Sequence, residues 1–139
     1  MTKILCAIDG SDHSKPALEL AGRLAKALDA DLTIFAVNQR IGAVGRSSGP
    51  ATALWSESEV QKTLSGAAAT AQTAGASKIR AVGADSRDVA RAITIYAEDN
   101  DFDQIIVGTG GKSAATRLMI GSVSRDVVDR AHCPVTVAR

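Results

Sequence analysis

Aromatic side chains are scarce: two phenylalanines, one tyrosine and one tryptophan make up 3% of 139 residues. A surface that stacks nucleic-acid bases needs several of them, so that function class is disfavoured. No charge of one sign dominates either. Sixteen basic residues stand against fifteen acidic ones, a formal net charge of +1, too little for a nucleic-acid or membrane-surface footprint. No apolar run approaches the ~18 residues needed to span a bilayer. The two cysteines, Cys6 and Cys133, form no CxxC and no zinc-ligand spacing. Each sits in an apolar run, and both are expected to be buried thiols. The opening Met1–Cys6 carries neither a signal-peptide core nor a cleavage pattern, so the expected location is the reducing cytoplasm.

What is present is an alternation. Five short apolar runs, Ile4–Ile8, Leu32–Val37, Ile79–Val82, Ile105–Val107 and Val135–Ala138, are unbroken rather than alternating. That pattern suits strands buried on both faces of a parallel sheet. Helical spacing fills the intervals. Ala17, Leu20, Ala21, Leu24 and Leu28 follow Ser14 and Pro16, and Val60, Leu64, Ala67, Ala68, Ala71 and Ala74 make a second face. Val89, Ala90, Ile93 and Ala97 follow a cap at Asp85-Ser86, and Val123, Val127, Val128 and Ala131 make the fourth. Many of the 25 alanines lie on these faces, where small side chains let helices approach a sheet closely.

The order β-α-β-α-β-α-β-α-β predicts one domain over residues 1–139: a three-layer α/β/α doubly wound sandwich around a five-stranded parallel sheet. In such folds ligands bind at the carboxyl ends of the strands, where the winding reverses. The segment from Asn38 to Ala53 shows no pattern and is long for a connection.

Two strand ends carry the candidate chemistry. The first run leads into Asp9-Gly10-Ser11-Asp12. The fourth leads into Gly108-Thr109-Gly110-Gly111-Lys112-Ser113, and Gly121-Ser122-Val123-Ser124 opens the last helix. Glycine lets a backbone approach phosphate closely, and the free N–H groups of a first helical turn point at an anion. Lys112 and Arg117 add positive charge, and Ser122 and Ser124 add hydroxyls. The bland alternative is a strand-to-loop turn followed by a capped helix. The P-loop fails because Ile106 stands where its first glycine belongs. The dinucleotide fingerprint fails because Ser113 stands at its third glycine. There is no GxSxG elbow to support a Ser-His-Asp set with His13 or His132. Asp9 and Asp12 could hold magnesium together, although magnesium beside a nucleotide is bound mainly by phosphates and water.

The pattern Gly108-x2-Gly111-x9-Gly121-Ser122, with Ile4–Ser11 at the start and Ala131–Val137 at the end, closely resembles the universal stress protein family in its ATP-binding branch. The resemblance covers the whole chain. It implies a homodimer that binds ATP with Mg2+ and acts in stress response through the dimer or a protein partner. The metal would be held by the phosphates rather than directly by the chain. Ala7 and Val37 would flank adenine, and Asp9 would lie near the adenosine. Gly108, Thr109, Gly110, Gly111 and Lys112 would hold ribose and phosphates, and Gly121, Ser122, Val123 and Ser124 would take phosphates at the helix start. The dimer would form through Val135, Thr136 and Val137 on an edge strand. Ala7 replaces a proline found in some members, and Asn38-Gln39-Arg40 replaces a commoner acidic sequence. A slow ATPase or phosphoryl- or nucleotidyl-transferring enzyme using the same crevice is the alternative, and no catalytic residue is assigned.

Overall fold

The computed structural model of the chain describes residues 1–41, 52–53, 55–109 and 120–139. Five parallel strands form the sheet: β1 (Lys3–Ile8), β2 (Asp31–Ile41), β4 (Ile79–Ser86), β5 (Gln104–Gly108) and β6 (Val135–Ala138). Their spatial order is β4-β2-β1-β5-β6, and a two-residue strand β3 (Thr52–Ala53) pairs antiparallel with the end of β2. The chain winds from β1 outward to β2 and β4, then crosses back to β5 on the other side of β1. The reversal therefore falls between β1 and β5.

Among the described residues four α-helices cover the two faces: α1 (Lys15–Leu28) and α2 (Glu57–Ala74) on one, α3 (Val89–Asp99) and α4 (Ser122–Arg130) on the other. Strand alternation divides the core between them. Ile4, Cys6 and Ile8 face α1 and α2 with Leu32, Ile34 and Ala36. Leu5 and Ala7 face α3 and α4 with Phe35 and Val37. A strand buried on both sides needs no polar positions, which is why the runs are unbroken. Phe35 stacks on Tyr96 with ring centroids 4.4 Å apart, and Phe102 joins them at 5.8 Å from Tyr96.

Several boundaries differ from the sequence reading. The third parallel strand does not end with the apolar run at Val82, as the glycine that follows suggests, but runs to Ser86 with Gly83 inside it. A Cβ there would stand 3.0 Å from Val60 Cγ1, so the glycine admits α2 against the sheet. The cap of α3 is therefore Asp88, whose carboxylate accepts from the Arg91 N–H at 3.1 Å, and not Asp85-Ser86. Part of the supposed patternless connection is strand, since β2 continues to Ile41 and pairs there with Thr52. Hydrogen bonding, not hydrophobic period, makes those residues regular. Leu28, Val123 and Val128 are exposed and do not belong to buried helix faces. Cys133 is only half-buried, unlike Cys6, whose thiol burial pushes up to about 12.

Candidate functional site

The parallel registers align the carboxyl ends of β1 and β5 beside β2, which runs on to Ile41. Ala7 pairs with Phe35 and Val107, which sets Asp9 level with Val37 and Thr109 at the top of the sheet. Ala7 and Val37 are buried on the α3/α4 face, directly below this level.

After β1 the chain makes a tight turn built by Asp9. Its Oδ1 accepts three hydrogen bonds, from Ser11 N at 2.9 Å, Ser11 Oγ at 2.6 Å and Ser14 Oγ at 2.8 Å. The buried Ser14 hydroxyl also accepts from the Asp9 N–H at 3.1 Å. Aspartate suits this position because its short carboxylate reaches the backbone two residues on. Gly10 adopts φ +80°, a left-handed value open to glycine without strain. Partial burial pushes the Asp9 carboxyl up, but the bonds from Ser11 and Ser14 outweigh it and hold it below the usual aspartate range. The result is a fixed anion with Oδ1 engaged.

The end of β5 is locked to the start of α4. Gly121 N donates to the Thr109 carbonyl at 2.7 Å, and Ser124 Oγ donates to the Gly108 carbonyl at 2.6 Å. Gly108 also lies hard against the turn after β1, where an added Cβ would stand 2.4 Å from the His13 carbonyl oxygen. Three segments thus converge at the winding reversal: the Asp9 turn, Gly108-Thr109, and Gly121–Ser124. At α4 the first bond back to the cap is Arg125 N to Gly121 O at 2.9 Å. The N–H groups of Ser122, Val123 and Ser124 precede it and lack intrahelical acceptors, so they carry the positive end of the helix dipole.

Of the residues singled out in the sequence, Ala7, Asp9, Val37, Gly108, Thr109, Gly121, Ser122, Val123 and Ser124 lie on the elements that meet at this winding reversal. Gly110, Gly111 and Lys112 lie outside the described residues, as does Arg117. Two roles are sharper than sequence alone provides. The Ser124 hydroxyl is committed to the Gly108 carbonyl, so what the residue retains for a ligand at the helix start is its backbone N–H. Val123 turns its side chain to solvent and offers only its amide. No spacing in the sequence marks Ser14, Asn38 or Trp55, although a lone tryptophan in an aromatic-poor chain is itself a signal.

A family model, described as the universal stress protein family, matches residues 1–139. The chain is 35% identical over 99% of its length to universal stress protein YxiE of Bacillus subtilis, covering 98% of that protein. It is 31% identical over 99% of its length to a universal stress protein of Methanocaldococcus jannaschii, covering 81% of it. Among solved structures, a universal stress protein in complex with cAMP superimposes with TM-score 0.75 at 25% identity, over 99% of this chain and 96% of that one. The Archaeoglobus fulgidus protein in complex with dAMP follows at TM-score 0.73 and 20% identity, over 100% and 98%, a likeness of fold. The chain belongs to the universal stress protein family.

Proposed function

We propose that the chain binds an adenine nucleotide, with ATP and Mg2+ foremost, in the crevice between β1 and β5. The observation that carries this reading is the convergence at one winding reversal of the first-turn amides of α4, which lack intrahelical acceptors, and the fixed Asp9 carboxylate. The amides suit phosphate. Asp9, acceptor-only, suits the hydroxyl or amino groups of the nucleoside, and Ala7 and Val37 give the base an apolar floor. Mg2+ would be carried mainly by the phosphates and water. The relative solved with cAMP supports the adenine class.

We read the protein as a cytoplasmic stress-response module and not primarily as an enzyme. No histidine or glutamate lies in the described phosphate-side segments 108–109 and 120–124, so those segments themselves offer no general base to an attacking water. ATP turnover is expected to be absent or far below ~10 per second. Signalling would pass through a homodimer formed by β6, or through a protein partner.

Gly121→Asp tests the nucleotide reading. Aspartate is a favoured N-cap, so α4 should hold, while its carboxylate competes with phosphate for the same amides. Calorimetry should show ATP binding to the wild type and its loss in the variant. Absence of wild-type binding at millimolar ATP would sink the reading.

A further inference from the structure

Trp55 stands apart from the other aromatics. It packs on the α1/α2 face, in the approach to α2, whereas Phe35, Tyr96 and Phe102 cluster against α3. One buried side chain holds its backbone at both ends. Asn38 Nδ2 donates to the Trp55 carbonyl at 2.7 Å, and Trp55 N donates to Asn38 Oδ1 at 3.0 Å. Asn38 is 4% exposed, in the stretch of β2 beyond its pairing with β1. The amide there acts as a one-residue imitation of strand pairing. Replacing it by an apolar side chain would leave two backbone groups without partners.

The indole ring is aimed at the turn after β1. A Cβ on residue 10 would stand 3.0 Å from Trp55 Cη2 and 3.3 Å from Cζ2, with Thr63 Cγ2 at 3.4 Å. The six-membered ring therefore occupies the space that a side chain at position 10 would take. Gly10 is the most freely rotating link in the turn that carries Asp9, and its φ of +80° is one of several basins open to glycine. The hydrogen bonds to Asp9 Oδ1 fix the carboxylate relative to Ser11 and Ser14. The ring fixes the turn relative to the sheet.

We propose that Trp55, held by Asn38, is a positioning residue for the nucleoside end of the binding site, acting through Gly10 on the aim of Asp9. This rests on the nucleotide reading above. Trp55 is on the opposite sheet face from Ala7 and Val37, so it supports the turn from behind and does not contact the base. The phosphate end is held by the bonds of Gly121 to Thr109 and of Ser124 to Gly108, neither of which involves Gly10, Asp9 or Trp55. The two ends should therefore respond separately to loss of the indole.

The experiment compares ATP and inorganic tripolyphosphate on wild type, Trp55→Ala and Trp55→Phe, by calorimetry and by competition against a fluorescent ATP analogue, with a urea midpoint for each protein. Trp55→Ala should weaken ATP by about tenfold, the loss expected when a preorganised contact is released. Tripolyphosphate affinity should be unchanged, and Trp55→Phe should restore most of the ATP affinity. If Trp55→Ala fails to fold, Trp55→Leu is read by the same comparison. Unchanged ATP affinity, or equal loss for both ligands, overturns the positioning role while leaving nucleotide binding intact. A wild type that binds no ATP overturns the underlying reading instead.

Discussion

Gly22→Ala and Gly66→Ala separate the intrinsic preference of a helix from the room available around it. Both glycines lie inside helices, Gly22 in α1 and Gly66 in α2. By propensity alone, alanine at either should stabilise by about 0.8–1.0 kcal/mol. Their surroundings are opposite. An added Cβ at Gly66 meets nothing within 4 Å. At Gly22 it would stand 2.6 Å from the Ala71 carbonyl oxygen and 2.6 Å from the Ala74 Cβ. Neither obstacle can rotate away: one is α2 backbone, its carbonyl fixed by the Ala76 N–H at 3.1 Å, and the other is the first atom of a side chain. Ordinary carbon contacts lie near 3.5–4.0 Å, so α1 and α2 must part by about 1 Å. The gap opens along a seam where Ala21, Ala25, Ala67 and Ala71 are buried. Overpacking costs about 1–3 kcal/mol, and a rigid obstacle puts this case at the upper end. Net of propensity, Gly22→Ala is expected to destabilise by about 2 kcal/mol and Gly66→Ala to stabilise by about 1 kcal/mol, a thermal separation on the order of 10 °C. Urea unfolding with unchanged m-values measures both. A Gly22→Ala protein as stable as wild type would refute the close-crossing argument.

The hydrogen-bonded Asp9 carboxylate makes a pH signature. Its pKa lies below the unfolded value of about 4, so its contribution to stability is present above that pH and is lost as pH falls through the folded value. Asp9→Asn should therefore be less stable than wild type at neutral pH, the difference shrinking below about pH 4, as urea midpoints across pH 2–7 would reveal. Self-association is expected at β6, a sheet edge whose Val135, Thr136 and Val137 are half-buried in the single chain. Light scattering should give twice 14.3 kDa for wild type and a lower mass after dilution of Val137→Pro or Val135→Lys; a wild-type monomer at high micromolar concentration rejects this interface.

The sheet was legible because burial on both faces writes itself into the chain as unbroken apolar runs. Ile4–Ile8 and Ile105–Val107 fall within β1 and β5. What escaped was set by pairing and proximity. Asn38–Ile41 are strand because of neighbours, with Asp85 opposite Asn38 and Thr52 opposite Ile41. Gly83 reads as a terminator, yet serves as a seat for Val60. The turn after β1 was legible at Asp9 and Gly10, and the close approach of β5 to that turn at Gly108, because short-range chemistry requires those residue types there. The Ser124–Gly108 bond spans sixteen residues and the Asn38–Trp55 pair seventeen, and no spacing rule announces such partners.

The strand order also constrains synthesis. β1 is central, yet its two neighbours are unequally distant along the chain: β2 follows at once, while Lys3 and its partner Asp103 are a hundred residues apart. During translation β1, β2 and β4 can assemble with α1 and α2 as a three-stranded half. One edge of β1 stays bare until β5 leaves the ribosome, and the strip formed by Leu5 and Ala7 waits for α3 and α4. A nascent chain paused between Ser86 and Gln104 would present an open strand edge at its centre, the condition under which chaperone capture or mispairing competes with folding.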